Sequence, residues 1–398
     1  MYQKLSAGDG DSGDGFGVSV GLSRDGTTAV VGAFEDEDPN GERAGAAYVF
    51  ERRTGSWIQQ AKLVAADGDA GDWFGSSVTV SSDGATVVIG APNDDDPDGS
   101  SDTRSGAGSA YVFSRTGGDW NREAKLTAVD GEPGDMFGLD IAVSSDGTAA
   151  VVGAVEDENP NGEQAGSAYV FEQSDSAWDQ QAKLSAADGD ADDHFGRAVA
   201  LSDDGTTALV SAAYDRVTPE EIILGSVYAF ERSDGTWNQQ AKLVPGEVGY
   251  RVGSTVSLSA DGTVALIGTS EHERPSPGAY VFEQLDGSWE QQAKLSTGDP
   301  RDWFGRAVAL SADGTTALCS AHAETDPNGE QAGAAYVFDR PDGTWNQRTK
   351  LVAADGDSDD WFGWTVALSG DATTALVGAL LDEDPHGTDS GSAYVFST

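Results

Sequence analysis

Hydrophobic residues recur along this chain in short runs with a period of two. In the first run, bulky side chains at Phe16, Val18, Val20 and Leu22 alternate with glycine or serine. This alternation is typical of a β-strand with one bulky face and one small face. Asp-Gly or Thr-Gly pairs separate the runs and predict tight turns between antiparallel strands. No run has the period of a helix, so the pattern indicates an all-β protein.

The runs belong to one repeated unit. Lysine is followed by leucine at every one of its occurrences, which are Lys4, Lys62, Lys125, Lys183, Lys242, Lys294 and Lys350. The spacing between successive pairs is 52 to 63 residues. A residue type confined to one phase of a repeat indicates a structural unit copied seven times.

Each copy contains four strand-like runs, which in the first copy are residues 16–23, 27–33, 45–50 and 57–63. Four strands and seven copies predict a seven-bladed β-propeller of four-stranded antiparallel blades. We place the blades at about 16–63, 74–126, 137–184, 195–243, 252–295, 304–351, and 362–398 plus 1–5, all within one domain, 1–398.

The two ends of the chain predict how the propeller closes. The chain stops after 394–396, which corresponds to the third strand of the seventh copy. It begins with the sequence Tyr-Gln-Lys-Leu, which matches the missing fourth strand. We therefore expect the N-terminal strand to complete the last blade.

Three motifs recur at fixed places in the copies. Phe-Gly begins at 16, 74, 137, 195, 304 and 362, and Tyr-Val-Phe begins at 48, 111, 169, 280, 336 and 394. Val-Gly-Ala begins at 31, 152 and 377, and residues 89–92 read Ile-Gly-Ala-Pro. Copy five departs from the first motif, with Val252-Gly253 in place of Phe-Gly. These motifs, over essentially the whole chain, resemble the FG-GAP repeat, which builds the propeller of integrin α subunits and of many prokaryotic surface proteins. The resemblance implies a propeller with an extracellular binding role.

One connection departs from the integrin-like pattern. In those repeats the calcium loop lies between the first and second strands. Here that connection is Ser-x-Asp-Gly-Thr, as at 23–27, which predicts a tight turn without room for a set of ligands. We do not expect calcium at that place.

The charge of the chain restricts its partners. Sixty-eight acidic residues against 23 basic ones give a net charge of −45, which repels nucleic acid and anionic membrane surfaces. The regular strands and 34 aromatic residues (10 Trp, 10 Tyr and 14 Phe) argue against disorder. A lysine-poor acidic surface is typical of a halophile, because the Debye length falls to roughly 3 Å in molar salt.

The hydrophobic runs and the cysteine content exclude two further classes of protein, those that insert into a membrane and those held together by disulfides. No apolar run is long enough to insert directly into a membrane. The single cysteine, Cys319, takes the place of Val31 in its copy, so we expect a buried small hydrophobe and no disulfide framework.

The connections divide the propeller into two ends. The first-to-second and third-to-fourth connections are short, and they define the turn end. The second-to-third loops and the inter-blade loops are long, acidic and variable, and they define the loop end. Loops held by a rigid framework commonly carry binding, so we expect function at the loop end.

Acidic residues spaced by two predict calcium sites in three of these long loops. The candidate ligands are Asp94, Asp96, Asp98 and Asp102, then Asp36, Asp38 and Asn40, and then Asp382 and Asp384. Such spacing, with glycine at the sixth place in the second copy, suits a hard cation held by oxygen donors. None of the loops has the bidentate glutamate of a calcium loop, and a solvated acidic loop would give the same spacing. Both interpretations stay open, and Ca²⁺ is the only cofactor that the sequence suggests.

Copies four and five break the acidic pattern at the loop end. The less acidic, more apolar residues there are Tyr214, Arg216, Ile222, Ile223, Leu224, Tyr250, Arg251, His272 and Arg274. We call this set the candidate ligand patch, because exposed apolar patches often mark contact sites. Decay of the repeat with local repacking is the alternative.

Aromatic residues precede Phe-Gly near the predicted channel mouth, at Trp73, His194, Trp303 and Trp361. They suit either a sugar-stacking platform or packing between blades. The tryptophans that open the fourth strands, at 57, 120, 178, 237, 289 and 345, are interpreted as structural. Each Lys-Leu lysine is expected to lay its stem along the outer strand and to meet a carboxylate with its amine.

The sequence gives no sign of catalysis. The Gly-x-Ser-x-Gly match at 17–21 lies within a strand instead of a strand-turn-helix elbow. The four histidines fall in three different repeat phases, and none has a nucleophile near it in the sequence. We therefore expect a non-enzymatic, monomeric binding or adhesion module at the cell surface, with a protein or glycan ligand. The alternative is a carbohydrate-binding or carbohydrate-active propeller such as a lectin, lyase or hydrolase.

Overall fold

The computed structural model describes residues 2–37, 39–95, 106–175, 177–216, 225–246, 251–269, 277–297, 299, 301–325, 328–383 and 385–398. The first strands in chain order are β1 (Tyr2–Leu5), β2 (Phe16–Leu22), β3 (Thr28–Ala33), β4 (Ala46–Arg53), β5 (Ser56–Leu63), β6 (Ser77–Val80), β7 (Thr86–Ala91), β8 (Ser109–Thr116) and β9 (Asp119–Leu126). The next are β10 (Phe137–Val143), β11 (Ala149–Ala154), β12 (Ser167–Ser174), β13 (Ala177–Leu184), β14 (Phe195–Leu201), β15 (Thr207–Ala212), β16 (Ser226–Ser233) and β17 (Thr236–Leu243). The last are β18 (Val252–Leu258), β19 (Val264–Thr269), β20 (Ala279–Leu285), β21 (Ser288–Leu295), β22 (Val308–Leu310), β23 (Thr316–Ala321), β24 (Ala334–Asp339), β25 (Asn346–Leu351), β26 (Phe362–Leu368), β27 (Thr374–Ala379) and β28 (Ser392–Ser397).

The strands form a seven-bladed β-propeller, as the repeat predicts. Within the described residues there are seven four-stranded antiparallel sheets, and six of them use four strands consecutive in sequence. The seventh has the order β1-β28-β27-β26, with Tyr2 opposite Phe396 and Leu5 opposite Ala393. The predicted closure by the N-terminal strand is therefore confirmed. No helix long and apolar enough to cross a membrane occurs among these residues.

The hydrophobic core is divided among the blade interfaces. Seven clusters of buried side chains occur in the described residues, and each combines two neighbouring blades. The Phe of each Phe-Gly pair contributes to these clusters; Phe16 packs against Tyr48 and Phe50 of its own blade. Cys319 is buried in the cluster between blades five and six, which confirms its interpretation as a small core residue. Trp57 and the other tryptophans that open the fourth strands also pack on these clusters, as expected.

The glycines of the repeat motifs allow neighbouring blades to approach through their backbones. A Cβ added to Gly32 would lie 1.9 Å from the carbonyl oxygen of Gly75 in the next blade. The same pairing of glycines occurs between Gly90 and Gly138, where the distance would be 2.0 Å. Ser19 also donates a hydrogen bond across this interface to the carbonyl of Gly75, at 2.8 Å. The Phe-Gly and Val-Gly-Ala motifs therefore mark the contact between blades.

The turn end of the central channel is closed by backbone hydrogen bonds. The N–H of Ser82 donates to the carbonyl of Ser145, and equivalent bonds of 2.8 to 3.0 Å continue from blade to blade as far as Gly370 and Arg24. An ion pair between Arg24 and Asp203 joins the turns of blades one and four. These contacts leave a cavity of only about 150 Å³ at this end.

Substitution of Gly32 by alanine tests the glycine contact. We expect Gly32→Ala to lower the free energy of unfolding by at least about 2 kcal/mol, because the new methyl group would overlap the Gly75 carbonyl. Gly246→Ala is the matched control, since no heavy atom lies within 4 Å of a Cβ at that position. Chemical denaturation in molar KCl measures both variants, and equal losses of stability would contradict this account of the motif.

Candidate functional site

The aspartates at the turn end are used by the turns themselves. Asp25 accepts hydrogen bonds from the Ser23 hydroxyl at 2.7 Å and from the Thr27 N–H at 2.9 Å. Burial alone would raise the pKa of Asp25, but the bonds from Ser23 and Thr27 hold that pKa below its usual range. The connection is a tight turn, as its sequence predicts.

Five of the lysines at the loop end join carboxylates from two loops. In blade three, the ammonium of Lys183 lies 3.0 Å from Asp157 of the long loop and 2.7 Å from Asp130 of the preceding inter-blade loop. The Tyr169 hydroxyl donates to Asp157 at 3.1 Å. Asp157 is 2% exposed, so its charge depends on these partners.

The same contact recurs around the propeller. The lysines that meet a carboxylate of their own long loop in the same way are Lys4, Lys62, Lys125, Lys242 and Lys350. Lys294 lies over the ring of Tyr280, and the long loop of its blade falls outside the described residues. The expectation that each lysine makes a local ion pair is thus confirmed in six blades.

This network engages the candidate calcium ligands that the structure describes. Asp36 accepts from Tyr48 and pairs with Lys62 at 3.0 Å. Asp94 and Asp382 are held in the same way, by Lys125 and Lys4 respectively. A calcium ion at any of these carboxylates would have to compete with a lysine ammonium.

The other candidate ligands are not brought to one place by the described structure. Asn40 donates instead to the carbonyl of Ala65 at 2.6 Å. Asp38, Asp96, Asp98, Asp102 and Asp384 lie outside the described residues. Within the described ranges, no group of three or more His, Cys, Asp or Glu side chains could hold a metal ion. The calcium site stays a prediction.

In five of the inter-blade loops, a second aspartate closes the loop on itself. Asp135 accepts the N–H of Glu132 at 2.7 Å and is 5% exposed. Burial, assisted by the nearby Asp157 carboxylate, raises its pKa to about 6. Asp14, Asp72, Asp193 and Asp360 make the corresponding bond in their loops. The last aspartate of the Asp-Gly-Asp-x-x-Asp motif is therefore a loop-capping residue.

The channel is open at the loop end, where a cavity of about 360 Å³ lies between the inner strands. Phe34, Trp73 and Trp364 contribute aromatic rings to its wall. Arg197 and Arg306, the residues that follow Phe-Gly in copies four and six, contribute positive charge. An adjoining cavity of about 220 Å³ shares both arginines. We call this region the channel mouth.

Arg306 lies against a wall of stacked rings. The carbon at the centre of its guanidinium is 3.8 Å from the centroid of the Trp364 ring. Trp364 stacks on Trp361 with the centroids 5.2 Å apart and the planes inclined by 16°. His322, which is 2% exposed, meets Trp364 edge-on. Burial, together with the charge of Arg306, lowers the His322 pKa to about 3, so this histidine is a neutral packing residue.

The candidate ligand patch is described only in part. Arg251 lies 4.2 Å from the ring centroid of Tyr214 and donates to the Tyr214 hydroxyl at 3.0 Å. Both residues line the cavity that adjoins the channel mouth, whereas Arg216 is exposed. The remaining members of the patch lie outside the described residues; they are Ile222, Ile223, Leu224, Tyr250, His272 and Arg274.

Each aromatic residue before Phe-Gly packs against another ring, and Trp73 and Trp303 also line the cavities. Trp73 meets Phe34 of the preceding blade edge-on at 5.9 Å. His194 lies 4.7 Å from Tyr214, and Trp303 meets His322. Each of the four has a positive φ of 53° to 60°, which is uncommon for bulky side chains. Inter-blade packing of the rings is confirmed for Trp73 and for Trp361, which meets His322 of the preceding blade, and a role in sugar stacking stays a prediction.

Sequence reasoning missed Arg197, Arg306 and Trp364. The residue after Phe-Gly is Val18, Ser76 or Leu139 in the first three copies. In copies four and six the same position, which faces the channel, holds arginine, although the chain has only 23 basic residues. An alignment of the repeats could have revealed this difference.

Comparisons with known protein families and solved structures agree with the repeated blades of this fold. The family model for the FG-GAP repeat matches residues 2–50, 57–113, 120–171, 178–230, 289–338 and 345–396. The longest unmatched stretch, 231–288, contains the first strand of copy five, where Val252-Gly253 replaces Phe-Gly. No curated protein matches the sequence.

Solved structures show how widespread the architecture is, and 861 of their chains are similar to this one. One is Kuenenia stuttgartiensis hydrazine synthase, with a TM-score of 0.60 and 13% sequence identity over 99% of this chain and 97% of that chain. At this identity the likeness shows the fold alone.

Replacement of Lys183 tests the lysine contact. Lys183→Met should lower the free energy of unfolding by about 1–3 kcal/mol, because it leaves the buried Asp157 without its cation. Arg53→Met is the control, since Arg53 is more than half exposed and pairs with Glu51 at the turn end. Denaturation curves in molar KCl compare the two, and an equal loss in both variants would refute a special role for the lysine.

The capping aspartates predict a particular pH dependence. The pKa of Asp135 is raised from 3.8 to about 6 in the folded protein, so between these values the folded state binds more protons than the unfolded chain. This stabilisation is complete below about pH 4 and is lost as the pH rises through 6. We expect Asp135→Asn to reduce the fall in stability between pH 5 and pH 7.5, as measured by denaturation at each pH. Asp119→Asn removes an exposed carboxylate at the turn end as control, and the same pH slope in all three proteins would contradict the prediction.

Proposed function

This chain belongs to the FG-GAP repeat family, and from that premise we propose that it is a non-enzymatic binding module that holds its ligand at the loop end. The observation that carries the proposal is the difference between the two ends of the channel. Hydrogen-bonded turns and the Arg24–Asp203 pair close the turn end. The loop end is open and lined by aromatic rings and arginines. Ligand sites are typically concave regions of this kind, with a few placed polar groups.

The proposed setting is the surface of a salt-adapted cell. The net charge of −45 keeps a protein soluble in molar salt, where repulsion between its carboxylates is screened. The lysine network and the glycine contacts between blades make the loop end a rigid platform. We propose that one copy of the domain acts alone and that its partner is a protein or a glycan of the cell exterior.

A carbohydrate-binding or carbohydrate-active propeller is the second candidate. The observation that favours it is the group of rings in the channel mouth, namely Phe34, Trp73 and Trp364. Aromatic faces pack against the C–H groups of sugars and leave the hydroxyls for polar side chains. Ser76, Ser254 and Thr365 supply such side chains in the same cavity.

A glycan array combined with site-directed masking tests the proposed function. Because Cys319 is buried and burial raises its thiol pKa, a single exposed cysteine can be coupled selectively to a 5-kDa polyethylene glycol maleimide. We expect the coupled Ala191→Cys protein, masked at the loop end, to lose glycan or protein binding that the uncoupled variant retains. Coupled Ser56→Cys, masked at the turn end, should bind normally.

Two outcomes would oppose the proposal. Loss of binding only in the coupled Ser56→Cys protein would place the ligand at the turn end. Release of oligosaccharides from the bound glycans during incubation would identify an enzyme in place of a binding module.

We further propose that Ca²⁺ stabilises the long loop of copy two, whose acidic residues have the most regular spacing. Addition of a chelator in molar KCl should then lower the melting temperature, because a ligand bound only by the folded state stabilises it by mass action. Asp98→Asn should abolish the response while leaving the fold intact. An unchanged melting temperature after removal of bound metal would exclude a structural role for calcium.

A further inference from the structure

The channel mouth concentrates positive charge on a protein that has little of it. Eight arginines elsewhere in the described residues pair with acids; Arg115 pairs with Glu51 and Arg340 with Glu283, for example. Arg197 and Arg306 both line the mouth, and neither has a carboxylate within ion-pair distance among the described residues. In a chain with 68 acidic residues, it is unusual for two arginines to face one cavity without an ion pair to a carboxylate.

The two arginines are close enough to affect each other. Burial and the charge of Arg197 together lower the pKa of Arg306 to about 10. Two like charges in a partly desolvated cavity repel one another, and an anion between them would remove that cost. The surroundings therefore favour a negatively charged occupant.

One carboxylate shares the cavity with the two arginines and can balance only one of them. Asp140 lies in the same cavity and accepts the N–H of Val199 at 2.8 Å. Burial raises the pKa of Asp140 to about 6 in spite of the opposing effect of Arg197. A carboxyl with this pKa is mostly ionised at pH 7, so Asp140 balances the charge of one arginine. The edge of the Arg306 guanidinium still has no acidic partner among the described residues.

The wall beside Arg306 fixes the geometry of a ligand. One face of the guanidinium is covered by Trp364, which Trp361 and His322 hold in place. The planar fork can then donate two hydrogen bonds from its edge, the arrangement that recognises a carboxylate. Phe34 and Trp73 line the same cavity. A ring with a carboxylate on its edge has apolar faces for these aromatics and an anion for the arginines.

We propose that the channel mouth binds an acidic sugar, with its carboxylate on Arg197 and Arg306 and its ring against Phe34 and Trp73. A cavity of about 360 Å³ falls within the usual range for small-ligand pockets, about 300–1,000 Å³. Arg251, held over Tyr214 in the adjoining cavity, adds a third positive charge near the mouth. This inference rests on the proposed binding function and names the class of ligand.

Isothermal titration calorimetry of the whole chain in molar potassium chloride tests the proposal. The probes are D-glucuronate, D-glucose and potassium sulfate. We expect glucuronate to bind at least about 10-fold more tightly than glucose or sulfate, because only glucuronate supplies both a ring and a carboxylate. Arg306→Gln and Arg197→Gln should each weaken glucuronate binding by about 10-fold or more, as expected for loss of a charge-assisted hydrogen bond.

Controls keep the result interpretable. Arg53→Gln removes an arginine at the turn end and should leave the affinity unchanged. Arg197 is exposed, so Arg197→Gln should keep the wild-type melting temperature and separate a binding effect from a folding effect. Tryptophan fluorescence should change on addition of glucuronate to the wild type and not to either mouth variant.

Each contrary outcome has a defined meaning. Equal affinities for glucuronate and glucose would overturn the role of the arginines. Sulfate binding as tight as glucuronate binding would overturn the sugar and leave a simple anion site. Absence of glucuronate binding by a protein that still binds other array ligands at the loop end would refute this inference while leaving the proposed function standing.

Discussion

The approach of neighbouring blades at paired glycines is the constraint on which the rest of the structure depends. Side chains between the backbones at Gly32 and Gly75 would hold the blades apart, and a larger spacing at any interface would prevent the closure that pairs β1 with β28. With the blades in contact, the turns of successive blades are near enough to form their own chain of hydrogen bonds. That chain closes one end of the channel, and so determines that the open channel mouth lies at the loop end.

The contact between blades also determines where the charged side chains of the loops meet. Long acidic loops gather at one end of the disc, where lysines such as Lys183 and Lys62 compensate the carboxylates that the packing buries. All the lysines occupy this one place in the repeat, so positive charge for other purposes comes from arginine. Most arginines outside the mouth make surface pairs, which contribute little to stability. Arg197 and Arg306 differ because they face a cavity, and their position there is best explained by an anionic ligand.

Much of the fold could be predicted from the sequence because its signals are repeated. The number of blades, the closure by the N-terminal strand and the lysine–carboxylate contacts all depend on patterns that seven copies reinforce. The carboxylates were harder to interpret. Asp36 and Asp94 have the spacing of cation ligands, yet each is held by a tyrosine and a lysine from distant positions in the chain. Local spacing does not reveal such partners. The channel mouth was missed for a related reason, since Arg197, Arg306 and Trp364 come from three copies and converge only when the ring closes.

The central claim is that an acidic propeller holds its anion site in the open channel mouth. The most direct measurement is anomalous diffraction from crystals grown in potassium bromide, in which bromide marks the places where the protein attracts anions. The account predicts a strong anomalous peak beside the guanidinium groups of Arg197 and Arg306. Bromide bound only at arginines on the outer surface, with no peak in the channel mouth, would contradict it.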